Sequence, residues 1–177
     1  MSDIIKYINS LDVWIVSHGG CGSNYIVDLL NENGYKVRDG PRRGAPLYGV
    51  TCHLAYIPQN INTKILYIYG DIINSMCSQE SRELLELNIK KLKKGHKNND
   101  EKDPYNYLFQ YENFYNDERV VKLKYPFTEE SLNNVLNDLN LNLKKKPVLK
   151  KRTKIYKKPY PEKIQEVYKY YSESVLK

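Results

Sequence analysis

Residues 12–34 read as a buried strand, a glycine-rich turn and a helix, and that succession confines the chain to the α/β class. Asp12-Val13-Trp14-Ile15-Val16-Ser17 is a short, mostly apolar run, as expected of a strand covered on both faces. His18-Gly19-Gly20-Cys21-Gly22 follows as the turn. Ser23 is placed to cap a helix over residues 24–33, in which Ile26, Val27, Leu29 and Leu30 form one stripe and which Gly34 stops.

The same pattern continues. Residues 3–11 carry apolar side chains at helical spacing. Residues 35–38, 48–52 and 64–69 read as three more strands, separated by the Gly/Pro-bearing loop 39–47 and by a loop through Pro58. Asp71 caps a long helix reaching about residue 94. After the polar stretch 95–102, Asp103-Pro104 opens a helix through residue 115, residues 119–124 form a strand, and Thr128 starts a helix to about residue 139. Strands alternating with helices over short connections predict a three-layer α/β sandwich around a mostly parallel sheet of about 4–5 strands.

Bulk properties narrow the class further. A chain of 177 residues holds one domain with a real core and is short for two, so residues 1–177 are expected to form one domain. Its core spans 12–140, with a basic segment at 144–158 and a closing amphipathic helix at 161–176. No apolar window of about 18 residues exists, so no membrane span is expected, and the N-terminal residues lack a signal-peptide pattern. Cys21, Cys52 and Cys77 are odd in number and show no metal-type spacing, which points to free thiols, a reducing cytoplasmic setting and no metal. Abundant Tyr, Lys, Asn and Ile suggest an AT-rich genome, such as that of a large DNA virus. The net charge of +7 is concentrated in residues 144–158, a segment suited either to a polyanionic partner or to a solvated surface.

The glycine turn is the feature with chemical meaning. Backbone amides and the helix dipole converge there on a site for an anion, and glycines let the main chain approach phosphate oxygens. Gly19, Gly20 and Gly22 supply the approach, Ser23 and Asn24 side-chain donors. The turn lacks the Lys of a Walker A loop, and Tyr25 stands where a dinucleotide fingerprint needs its third glycine. The plain alternative is a tight turn without a ligand.

Three pieces, in order, resemble the sulfotransferase family, whose fold is P-loop-like. Gly19-Gly20-Cys21-Gly22-Ser23-Asn24-Tyr25 is similar to the family's P-K-S-G-T-T-W loop, which holds the 5′-phosphosulfate of the donor PAPS. Thr51-Cys52-His53-Leu54, with Pro58 further on, resembles K-T-H-L-P, whose His is the catalytic base. The strand over 65–69, followed by Asp71-Ile72-Ile73-Asn74-Ser75, resembles a strand ending in R-x-P-x-D-x-x-x-S, and Ser75 falls on the serine that holds the donor's 3′-phosphate. The stretch from Phe109-Gln110-Tyr111-Glu112 to residue 139 is similar to the family's Y-E-D segment with its strand and helix.

The resemblance implies that PAPS is the co-substrate, bound by Gly19, Gly20, Cys21, Gly22, Ser23, Asn24 and Ser75, with His53 taking the proton of an acceptor hydroxyl on a sugar or small molecule. The departures all remove charge. The family's loop Lys is replaced by Gly20, its Lys before the His by Thr51, and its 3′-phosphate Arg is missing beside Gly70. Charge-assisted contacts to phosphate are the strong ones, so their loss demands replacements. His18 is the candidate in the loop, Arg152 the candidate in the late basic segment, and Arg42 and Arg43 are candidates for the acceptor or sulfuryl group. Lys64 begins its strand and is expected to point away.

Three functions compete: a PAPS-dependent sulfotransferase, a degenerate relative that binds a nucleotide or anion without chemistry, and a nucleic-acid binder. The third would use the basic segment with Tyr156, Tyr160, Tyr168, Tyr170 and Tyr171, but their helical spacing favours packing over base stacking.

Overall fold

The computed structural model describes residues 2–37, 51–93, 101 and 103–149. Among them three parallel strands form one sheet in the order β1 (Val13–Ser17), β2 (Lys64–Tyr69), β3 (Val120–Lys124). Trp14 pairs with Ile65 and Ile65 with Val120, so all three strands run out to a common carboxyl edge. Six helices accompany them among the described residues: α1 (Ser2–Asn9), α2 (Ser23–Glu32), α3 (Ile72–Glu80), α4 (Leu85–Leu92), α5 (Tyr107–Tyr115) and α6 (Glu129–Asp138).

Alternation along the strands divides the core. Val13, Ile15, Leu66, Ile68 and Leu123 pack with Ile26, Leu30, Leu132 and Val135 from α2 and α6. Trp14, Val16, Ile65, Tyr67 and Val120 face the other way, against Ile8 of α1 and Phe114 of α5. Every β1 side chain is buried, as a strand covered on both faces requires. A third cluster joins Ile72 and Met76 of α3 to Leu92, Tyr107 and Leu108, which ties α3, α4 and α5 together. No helix among the described residues is long and apolar enough to cross a membrane.

Local signals account for most boundaries. The Asp71 side chain accepts from the Asn74 amide at 2.6 Å and caps α3, and Thr128 forms a reciprocal capping box with Ser131 at the start of α6. Gly34 (φ 85) ends α2, and the Tyr35 amide reaches back to the Leu30 carbonyl at 3.0 Å.

Five expectations need correction. Residues 35–37 are not a strand: Lys36 exchanges bonds with Asp12, its carbonyl taking the Asp12 amide at 2.7 Å and its amide going to the Asp12 carboxylate at 2.6 Å, and these three residues join no ladder. The strand expected over 48–52 ends otherwise, with Thr51 helical and Cys52 and His53 in a turn; residues 48–50 lie outside the described ones. The long helix from Asp71 is two helices, because Glu83 turns left-handed (φ 56) and the Leu84 amide closes on the Gln79 carbonyl at 2.9 Å. The helix expected from Asp103 begins at Tyr107, although the Asp103 carboxylate still takes the amides of Tyr107 and Phe109, each at 2.9 Å. Ser23 is the first residue of α2 rather than its cap, which is Gly22. Three strands of the expected 4–5 are found among the described residues. The helix expected over 161–176 lies outside them.

Candidate functional site

The glycine turn joins β1 to α2 at the carboxyl edge of the sheet, where open α/β sheets bind ligands. Gly19, Gly20 and Gly22 all have left-handed φ, 90°, 74° and 80°. Their missing Cβ atoms are needed by the protein itself. A Cβ on Gly20 would collide with the Ser75 carbonyl, one on Gly19 would meet the Gln79 and Asn88 side chains at 3.0 Å, and one on Gly22 would meet the Tyr125 ring at 3.0 Å. The glycines therefore let the loop lie flat on α3 and on the residues after β3.

Cys21 turns inward from the same loop. It is fully buried, and its thiol donates to the Ile68 carbonyl at 3.2 Å. Burial pushes the thiol up to about 12, and the Ser17 hydroxyl and the Cys21 and Gly19 amides pull against that only in part. Cys21 is a structural thiol inside the turn, not a nucleophile. The Gly19 amide is also occupied, donating to the Ser17 hydroxyl at 3.3 Å.

The outward part of the loop is different. Gly20, Gly22 and Ser23 are partly exposed and Asn24 is exposed. The N-terminus of α2 has no side-chain cap, and the Ser23 hydroxyl accepts from the Ser17 hydroxyl at 3.2 Å. The first amides of a ten-residue helix, with the positive end of its dipole, thus begin at a partly open turn.

His53 joins this turn from the segment after Cys52. The Ser17 amide donates to the Cys52 carbonyl at 3.0 Å, and His53 Nδ1 donates to the Ser17 carbonyl at 2.7 Å. A carbonyl can only accept, so Nδ1 carries the hydrogen and Nε2 of the neutral ring is left as the basic nitrogen. The ring is half-buried.

His18 is brought close to His53 but differs in character. It is 1% exposed, its Nε2 lies 3.2 Å from the Ser75 hydroxyl, and its ring centroid is 5.5 Å from that of Tyr107. Burial, with a smaller contribution from the charge on His53, lowers its pKa to about 3. A neutral imidazole does not replace the family's loop Lys as a cation, which corrects that expectation. Ser75 is buried as well, its hydroxyl on His18 and its main chain against Gly20. Arg42, Arg43 and Arg152 lie outside the described residues. Lys64 donates to the Leu139 carbonyl at 2.6 Å, at the opposite end of β2.

Residues that sequence reasoning passed over support this arrangement. Gln79 Nε2 donates to the His18 carbonyl at 3.2 Å and lies 3.1 Å from the Tyr107 hydroxyl, while Asn88 Nδ2 donates to Gln79 Oε1 at 2.7 Å. Both amides are buried beneath Gly19. Arg82 is exposed and its guanidinium is held on the Ser78 carbonyl at 2.8 Å. Nothing in local sequence distinguishes a polar residue inside a helical stretch that will be buried from one that will be solvated.

Fold and site together define a parallel α/β domain with a glycine turn and two histidines at its carboxyl edge. The chain matches no protein-family model, no curated protein and no solved structure.

Proposed function

We propose that this chain is a small sulfotransferase-like domain that binds the adenosine bisphosphate donor PAPS and passes its sulfuryl group to a hydroxyl of a sugar or small molecule. The observation that carries the reading is the bond from His53 Nδ1 to the Ser17 carbonyl, beside the turn from which α2 starts uncapped. The outer loop amides and the α2 N-terminus bind the 5′-phosphate. In the reaction the acceptor O–H gives its proton to His53 Nε2 as its oxygen forms a bond to sulfur. The sulfur–oxygen bond to the phosphate breaks, and that oxygen leaves as part of adenosine 3′,5′-bisphosphate. Such a displacement depends on positioning and on stabilising charge on the departing oxygens.

A second reading is binding without turnover, and the neutrality of His18 together with the commitment of Ser75 to it favours that reading. Both are tested by thermal shift with adenosine 3′,5′-bisphosphate, since a ligand at 100 times its dissociation constant adds about 2.7 kcal/mol. A shift with sulfuryl transfer from PAPS that His53→Ala abolishes supports the enzyme. A shift without transfer supports the binder. Absence of a shift with either nucleotide at millimolar concentration removes both.

A further inference from the structure

Among the described residues, three buried side-chain atoms between the sheet and α5 have no hydrogen-bond partner: His18 Nδ1, the Tyr67 hydroxyl and Gln110 Oε1. Their residues are 1%, 0% and 0% exposed. Buried polar atoms are almost always paired, so three in one region call for a shared partner.

All three residues lie where α5 packs on the sheet. Val16 pairs with Tyr67 across β1 and β2, and Val16 and Tyr67 share the sheet face that α5 covers. Tyr107 of α5 lies against His18, with ring centroids 5.5 Å apart, and Phe114, two turns on, stacks on Tyr67 at 5.1 Å. Gln110 stands between them on the same helical stripe, three residues after Tyr107 and four before Phe114. Its Nε2 is anchored on the Leu54 carbonyl at 2.7 Å, which leaves Oε1 as the end without a partner.

We infer that a single ordered water is bound here, bridging His18, Tyr67 and Gln110. The valences match. With Nε2–H donating to the Ser75 hydroxyl, His18 Nδ1 is an acceptor; Gln110 Oε1 is an acceptor; the Tyr67 hydroxyl is a donor. A water donates to the first two and accepts from the third, the usual coordination of a buried water. It thereby holds His18 in the tautomer that donates to Ser75, and Ser75 is the residue on which Gly20 rests. The water is a positioning element for the glycine turn, independent of what the turn binds.

The test is water-selective NMR on the full chain, combined with thermal melts of Tyr67→Phe. The expected result is a long-lived water contact to the Tyr67 ring that disappears in Tyr67→Phe, with a lowered Tm. An unhydrated site predicts the reverse sign, because removing a hydroxyl buried without a partner stabilises. Absence of the water contact in the wild-type chain, or a raised Tm for Tyr67→Phe, overturns the inference. A Gln110→Leu chain that keeps the contact unchanged overturns it as well.

Discussion

His53 Nδ1 and the Ser17 carbonyl lie 2.7 Å apart, and that bond decides which nitrogen of the ring is available for chemistry. His53 should therefore be found as the Nδ1–H tautomer when neutral. Long-range nitrogen–proton correlation spectra check this directly, and an Nε2–H signature would exclude the ring from acting as a base toward the turn. His53→Ala removes one half-buried hydrogen bond and should lower stability by only about 1 kcal/mol, so lost binding or turnover would not be explained by unfolding.

His18 should make the protein acid-sensitive. Its folded pKa, about 3, lies below the ordinary value of 6.5, so between those values the unfolded chain binds the extra proton. The stabilisation is complete above about pH 6.5 and falls by up to about 1.4 kcal/mol per pH unit on acidification toward pH 3. Urea titrations from pH 7 to about pH 4 should show this slope, and His18→Gln should flatten it.

Gly20 and Gly34 share a left-handed backbone but not an environment. A Cβ at Gly34 meets nothing, whereas at Gly20 it strikes the Ser75 main chain. Gly34→Ala should cost about 1–2 kcal/mol, from φ alone. Gly20→Ala adds displacement of α3 and should exceed about 3 kcal/mol. Denaturant melts of the two variants measure the difference, and equal losses would contradict the packing described for the turn.

Thiol labelling should separate the cysteines. Burial pushes Cys21 up to about 12 and Cys77 up to about 11, whereas Cys52 is partly exposed. In the native protein at about pH 8 a disulfide reagent should modify Cys52 quickly and the other two only on unfolding, because the thiolate is the reacting form. Rapid native labelling of Cys21 would show that the turn opens.

Much of the framework was legible in the chain. The strand over 64–69 is found at those residues, Asp71 is the cap it was expected to be, and the helix expected to start at Thr128 starts there. These features arise from apolar alternation and from side chains that reach amides two or three residues away. The break after Glu80 was not legible, because residues 71–93 lack a proline or glycine and the left-handed residue is Glu83. The site was read by residue type but not by direction: the glycines were expected to clear space for a ligand, and they make room for Ser75, Gln79 and Tyr125.

By itself the sequence determined the alternation of strands and helices, the glycine turn after the first strand, and the presence of histidines near it. Only the tertiary structure decided that His18 is buried and neutral while His53 is half-open, and that Cys21 points inward. The reason is range. His18 and Ser75 are 57 residues apart and His53 and Ser17 are 36 apart, so burial and hydrogen bonding at these groups exist only once the sheet and its helices have closed around them.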